Sequence, residues 1–188
     1  MLSLDRLKYI EGIQKYTRFS VVTTIAIAIV VLVIIVVSHT VIKEKELSDI
    51  LYSPFLMITV VALLLYCFIL YRIKQRTQRL QELIEQMSEE EFQFLLQAQS
   101  FLSFYGKYAP TFVICRDRLY LFTLFEIKEI DPKKVEKVGY HYARGGSFLV
   151  EIQSPETTKF EVYTSAYPYL ERLIRKYNPN ADIEVYKL

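Results

Sequence analysis

Six basic side chains are the residues of this sequence whose type and spacing come closest to a binding site. They lie in or beside the predicted strand connections of the C-terminal half: Arg116, Arg118, Lys133, Lys134, Lys137 and Arg144. Basic side chains on neighbouring loops can contact anionic lipid headgroups or a small anionic ligand, and each charge contributes about 1 kcal/mol near an anionic surface. Asp117, Asp131 and Glu136 are interleaved with them, however, and such a mixture is typical of ordinary solvated turn charges.

No group of residues has the spacing that a catalytic or cofactor site requires. The Gly145-Gly146 pair falls in a predicted hairpin, whereas a phosphate-binding loop lies between a strand and a helix. GxSxG, CxxC and HExxH motifs do not occur. Three glutamates from Glu89 to Glu91 follow Ser88 in a pattern that predicts a helix-capping box rather than a metal site. We therefore expect no enzymatic activity, no metal and no cofactor.

The composition argues against two further classes of protein. A net charge of +2 over 188 residues is too small for an electrostatic nucleic-acid binder. The two cysteines, Cys67 and Cys115, cannot form a disulfide framework, which fits a reducing compartment.

Two long uncharged stretches dominate the N-terminal half. One lies between Arg18 and Lys43 and the other between Asp49 and Arg72. A transmembrane helix requires roughly 20 apolar residues, so the sequence predicts a transmembrane hairpin over residues 19–71, with spans at about 19–42 and 50–71. Residues 1–18 have apolar residues near a helical period and are predicted to form an interfacial amphipathic helix.

The basic residues that flank these stretches predict an orientation. Arg and Lys are concentrated before residue 19 and after residue 71, whereas the short segment between the stretches carries Lys43 and Lys45 among acidic residues. The positive-inside rule then places both termini on the cytoplasmic side of the inner cell membrane.

Residues 72–106 are predicted to form a helical linker, and residues 107–188 a β domain. Alternating apolar residues and turn sequences such as Arg144-Gly145-Gly146-Ser147 predict an antiparallel meander. Ser165 and Pro168 begin a predicted amphipathic helix that covers the sheet, and a short strand follows from Ile183. The expected fold class is therefore α+β, with a two-span hairpin, a meander or partly open barrel, and a closing helix.

Three passages carry a resemblance to a known family. They are the FVICRDRLY run at Phe112–Tyr120, the passage Ile127–Asp131 followed by Val135, and the helix end at Tyr177–Ala181. With the preceding hairpin, they resemble the bacterial membrane-anchored pleckstrin-homology-like proteins, including the YcxB-like group. The resemblance implies a pleckstrin-homology-like domain over roughly residues 110–178, held at the membrane and able to contact anionic lipid.

These features lead to three hypotheses about function. The first is a non-enzymatic interaction or scaffold module, anchored to the membrane, that binds a protein partner or anionic lipid or associates with itself. The second is a ligand-gated two-span effector, in which a closed β-barrel senses a nucleotide-like anion and drives oligomerisation and membrane disruption. The third is an accessory subunit of a larger membrane complex.

Overall fold

The computed structural model describes residues 3–43, 54–102, 104–123, 126–143 and 145–185. At residues 32, 34–43, 54–60, 104–105 and 185 it describes the backbone alone. The helices are α1 (Leu4–Lys43), α2 (Pro54–Gln86), α3 (Glu89–Gln99), α4 (Phe104–Tyr108) and α5 (Tyr167–Tyr177). The strands are β1 (Phe112–Cys115), β2 (Arg118–Phe122), β3 (Ile127–Ile130), β4 (Lys137–Tyr142), β5 (Ser147–Ser154), β6 (Glu156–Tyr163) and β7 (Asp182–Val185). A short 3-10 helix occupies Pro132–Lys134.

The chain forms two compact units. The first, here called the β unit, combines residues 1–13 with residues 78–188, and the second, the helical unit, comprises residues 14–77. Residues 1–13 and 78–106, assigned from sequence to a separate leader and linker, thus belong to the same compact unit as the strands.

Two sheets form the centre of the β unit. One is an antiparallel meander in the order β1-β2-β3, and the other has the order β6-β5-β4-β7. In the first sheet β2 pairs antiparallel with β1 and β3, and in the second sheet β5 pairs antiparallel with β4 and β6. The last strand, β7, pairs parallel to β4 after the chain has crossed over through α5. The predicted α+β class, the meander and the C-terminal helix are confirmed.

The core between the two sheets is closed by α5. Its buried residues Tyr167, Leu170, Leu173 and Ile174 recur at helical spacing and pack on side chains from both sheets. Polar residues such as Arg172 and Lys176 occupy its outer side. The helix starts beside Pro168, as predicted, but its N-cap is Ala166 without a side-chain hydrogen bond, so the predicted cap at Ser165 is wrong.

A second core lies on the other side of the first sheet. All four residues of β1 are buried, because Phe112 and Ile114 contribute to the core under α5 while Val113 and Cys115 contribute to the second core. There they join the first turns of α1, the end of α2, and α3, through buried side chains that include Tyr9, Ile13, Leu83, Ile84 and Phe92. The first sheet is therefore a middle layer, which explains its continuous apolar runs.

The predicted capping box of α3 is confirmed. The Ser88 hydroxyl accepts a hydrogen bond from the Glu91 backbone N–H at 3.2 Å, and the Glu91 carboxylate accepts one from the Ser88 backbone N–H at 2.7 Å. The helix ends at Gln99 and α4 begins at Phe104, so the predicted helical linker over residues 72–106 contains more than one helix.

The prediction of transmembrane spans is wrong. Across the part of the chain that the structure describes, no helix combines the length and the apolar character needed to cross a lipid bilayer. The spans at 19–42 and 50–71 were inferred from the distance between charged residues, whereas α1 starts at Leu4 in a charged segment and α2 runs from Pro54 through charged turns to Gln86. The two-span membrane fold is corrected accordingly, and the predicted inner-membrane location had depended on it.

Candidate functional site

The structure places two of the six predicted basic residues at the β1–β2 hairpin. Arg116 is exposed in the turn, and Arg118 at the start of β2 forms ion pairs with Glu129 at 3.7 Å and with Asp131 at 3.6 Å. Because Asp131 also caps the 3-10 helix that carries Lys133 and Lys134, three of the predicted residues, Arg118, Lys133 and Lys134, lie around one acidic group.

The remaining predicted residues lie among carboxylates or outside the described residues. Lys134 borders a shallow groove of about 370 Å³ that Glu129, Asp131 and Glu156 also line. Lys137 on β4 forms ion pairs with Glu184 at 2.7 Å and with Asp182 at 3.9 Å, both on β7. Arg144 falls outside the described residues. The structure therefore surrounds these cations with acidic partners, and they do not form a continuous basic surface within the described residues.

The ion pair between Lys137 and Glu184 predicts a pH-dependent contribution to stability. The hydrogen bond from Lys137 lowers the pKa of the Glu184 carboxyl below its ordinary value of 4.5. A lowered folded-state pKa adds stability that is present above the unfolded-state pKa and is lost as the pH falls through the folded-state value. Glu184→Gln should therefore be less stable than the wild type near pH 6, and the difference should shrink as the pH falls below 4.5, as measured by urea denaturation. Glu161→Gln, on the exposed side of β6, is the control. If the stability difference between Glu184→Gln and the wild type did not change with pH, the ion pair with Lys137 would not be its cause.

The space between the two sheets is filled by side chains. Leu119 and Leu121 from the first sheet, Val150 and Ile152 from the second, and Leu170 from α5 are all fully buried there. A closed barrel that senses a nucleotide would require this volume for its ligand.

An open cleft of about 430 Å³ lies between α3, α5 and the β1–β2 hairpin. We call it the α3–α5 cleft. Its floor is apolar and consists of Phe94 from α3, Ile114 from β1 and Leu173 from α5. Phe94 also makes an edge-on contact with the Tyr169 ring, with centroids 6.1 Å apart, which fixes one wall. An apolar floor open to solvent is a feature of binding clefts.

The rim of the α3–α5 cleft is charged, with more acidic than basic groups. Glu90, Glu91 and Asp117 line it together with Arg172 and Lys176. The Lys176 ammonium lies 3.2 Å from a Glu90 carboxylate oxygen and joins α5 to α3 across the opening. Because the two side chains are 64% and 85% exposed, solvent weakens this pair, and an incoming charged group can replace either partner.

The end of the cleft at the hairpin turn is held by hydrogen bonds. The Tyr177 hydroxyl donates to Asp117 Oδ1 at 2.7 Å, and the Asp117 backbone N–H donates to Glu91 Oε1 at 3.4 Å. Burial raises the pKa of the Tyr177 hydroxyl, and the bond to Asp117 raises it further, so this group stays protonated and remains a donor.

The turn itself holds two residues in a conformation that side chains disfavour. Arg116 and Asp117 have φ values of +51° and +58°, where hairpin turns usually carry Asn-Gly or Asp-Gly. Such positions concentrate at functional sites, where the surrounding structure maintains them. Here the hydrogen bonds from Tyr177 and to Glu91 maintain Asp117.

No pattern in the sequence predicted the α3–α5 cleft. Glu90, Gln93, Phe94 and Gln97 do recur at the spacing of one helical face, and this is the signal that α3 presents a mixed polar and apolar surface. No local pattern places that face beside α5, which follows it by about 80 residues. Among the described residues, no group of three or more His, Cys, Asp or Glu side chains is placed to hold a metal ion.

Comparisons of the chain with protein-family models, with curated proteins and with solved structures find no match.

Proposed function

We propose that this protein is a non-enzymatic interaction module that binds a segment of a partner protein in the α3–α5 cleft. The observation that carries the proposal is the α3–α5 cleft itself, in which a charged rim surrounds the half-buried Phe94 and the edges of the buried Ile114 and Leu173. Sites carried by a rigid scaffold and bounded by a constrained turn are typical of recognition surfaces.

The chemistry of the cleft defines the segment that it accepts. The apolar floor of Phe94, Ile114 and Leu173 suits one apolar side chain of the partner. Three carboxylates against two cations on the rim favour a neighbouring basic side chain, because it can pair with Glu90 or Asp117. The partner segment is therefore a short peptide in which a Lys or Arg accompanies a large apolar residue.

A phage-displayed library of random 12-residue peptides, selected against the purified full chain, tests this proposal. We expect enrichment of peptides that combine a large apolar residue with Lys or Arg. Two variants should weaken their binding by at least tenfold: Glu90→Lys, which reverses one rim charge, and Gln97→Trp, which fills the opening. Glu161→Lys makes the same charge change on the exposed side of β6 and should leave binding unchanged.

The contrary result is also clear. If no peptides were enriched, the cleft would be ruled out as the binding surface. It would also be ruled out if the enriched peptides bound Glu90→Lys and Gln97→Trp as tightly as the wild type. The double variant Glu90→Lys with Lys176→Glu restores the ion pair across the opening with reversed polarity. Peptide binding to this variant shows whether the peptides require the original positions of the two charges or only an ion pair between α3 and α5.

A further inference from the structure

In the helical unit, residues 14–77, the side chains that the structure describes include a stripe of half-buried residues on α1 and another on α2. On α1 the half-buried residues include Thr17, Val21, Thr24 and Ala28, and on α2 they include Tyr66, Leu70, Ile73 and Thr77. The Thr17 and Thr77 hydroxyls are 3.0 Å apart and form a hydrogen bond between the two segments. Each stripe has the spacing of a single helical face.

The other faces of both segments carry large apolar side chains that are exposed. These are Phe19, Val22, Ile25, Ile27, Ile29, Val30, Val31 and Val33 on α1, and Val61, Leu63, Leu64, Leu65, Phe68, Ile69 and Tyr71 on α2. Val22 and Leu64 are each 65% exposed. Soluble monomers rarely expose a contiguous apolar surface of this extent, so a partner is expected to cover it.

We propose that a second copy of this chain covers the exposed apolar faces of the helical unit. At 40–65% exposure, these side chains together offer on the order of 1,000 Å² of apolar surface per copy, which exceeds the roughly 800 Å² that each partner contributes to a standard stable interface. Two copies related by a two-fold axis can bury the same apolar patch against each other, because such an interface uses the same surface of both copies. This proposal concerns a different unit from the α3–α5 cleft and goes beyond the function proposed above.

The distribution of charge locates the centre of this interface. No charged residue occurs from Phe19 to Val33 or from Val61 to Tyr71. Basic residues flank Phe19 and Tyr71 directly, as Arg18 and Arg72, and Arg18 and Lys74 both line a groove between the segments at this end. Because like charges repel across a symmetric contact and interface cores are depleted in charge, the contact is centred on the uncharged faces.

Sedimentation velocity of the purified full chain tests the proposal. The wild type should sediment as a dimer or a larger discrete oligomer at micromolar concentration. Leu64→Glu and Phe68→Glu introduce a charge into the centre of the interface, and each should raise the dissociation constant by at least tenfold. Phe101→Glu is the matched control, because Phe101 is 73% exposed but lies in the β unit, and this variant should retain the wild-type oligomer.

Each outcome decides the question. A wild-type chain that remains monomeric at these concentrations overturns the proposal, and so does an oligomer that both glutamate variants leave intact. Circular dichroism at 222 nm checks that the variants keep their helices, so that loss of association is separated from loss of folding. Peptide binding in the α3–α5 cleft is a separate measurement, and its failure leaves this result unaffected.

Discussion

Replacing Gly12 by alanine should destabilise the protein, and the same replacement should stabilise it once Tyr108 has been shortened. Gly12 lies in the interior of α1, where glycine ordinarily costs about 1 kcal/mol relative to alanine. A Cβ atom at this position would lie only 2.1 Å from Tyr108 Cε1 and 2.4 Å from Tyr108 Cζ. The glycine is therefore required by the close approach of the Tyr108 ring.

The expected sign change follows from what Tyr108 contacts. Its ring packs on the buried Tyr9 ring with centroids 5.4 Å apart, and a methyl group at position 12 would push it out of this contact. Such overpacking costs about 1–3 kcal/mol, so Gly12→Ala should lower the free energy of unfolding by that amount. In a Tyr108→Ala background the methyl group meets no ring, and the better helix former should raise the free energy of unfolding by up to about 1 kcal/mol.

Urea denaturation followed by tyrosine fluorescence measures all four members of this cycle, because the sequence contains no tryptophan. The coupling between the two positions should reach about 2 kcal/mol or more. If Gly12→Ala changes the free energy of unfolding equally in both backgrounds, the close approach of Tyr108 is not the reason that position 12 requires glycine.

Local patterns predicted much of the β unit, because the relevant contacts are close in sequence. Ser88 and Glu91 form the predicted capping box, since both partners lie within one helical turn. The meander and its turns follow from alternation and from residues such as Gly145 and Gly146, whose positive φ values the turn requires. Pro168 indicated the first turn of α5 for the same local reason.

Contacts between distant parts of the chain were not predictable in this way. The parallel pairing of β7 with β4 depends on a crossover through α5, which no strand pattern encodes. Tyr9 lies in the segment predicted to form an interfacial helix, whereas its hydroxyl is within hydrogen-bond distance of the Gln99 side-chain oxygen and of the Lys107 carbonyl, to either of which it can donate. The α3–α5 cleft escaped prediction for the same reason. The predicted spans were wrong because a stretch without charged residues was equated with a membrane-crossing helix.

Loss of the Arg6 side chain should cost more stability than loss of its acidic partner. Arg6 is 7% exposed, and its Nη1 donates to the Met87 carbonyl at 2.6 Å and to the Ile84 carbonyl at 3.4 Å. These carbonyls lie at the end of α2, where the helix itself supplies no donors and where a cation also opposes the negative end of the helix dipole. Nη2 forms an ion pair with Glu89 at 3.1 Å, but the Glu89 side chain is 59% exposed.

Arg6 can be buried for two reasons, to cap the end of α2 or to form the ion pair with Glu89, and three substitutions distinguish them. If it serves chiefly as the cap of α2, Arg6→Met should lower the free energy of unfolding by about 2–4 kcal/mol, because two buried carbonyls lose their donor. Glu89→Gln removes only the exposed ion pair and should cost less than about 1 kcal/mol. Arg6→Lys keeps the charge but has a single donor group in place of the planar fork, so it should fall between the two. Equal losses for Arg6→Met and Glu89→Gln in urea denaturation would show that the ion pair, and not the capping of α2, is what Arg6 contributes.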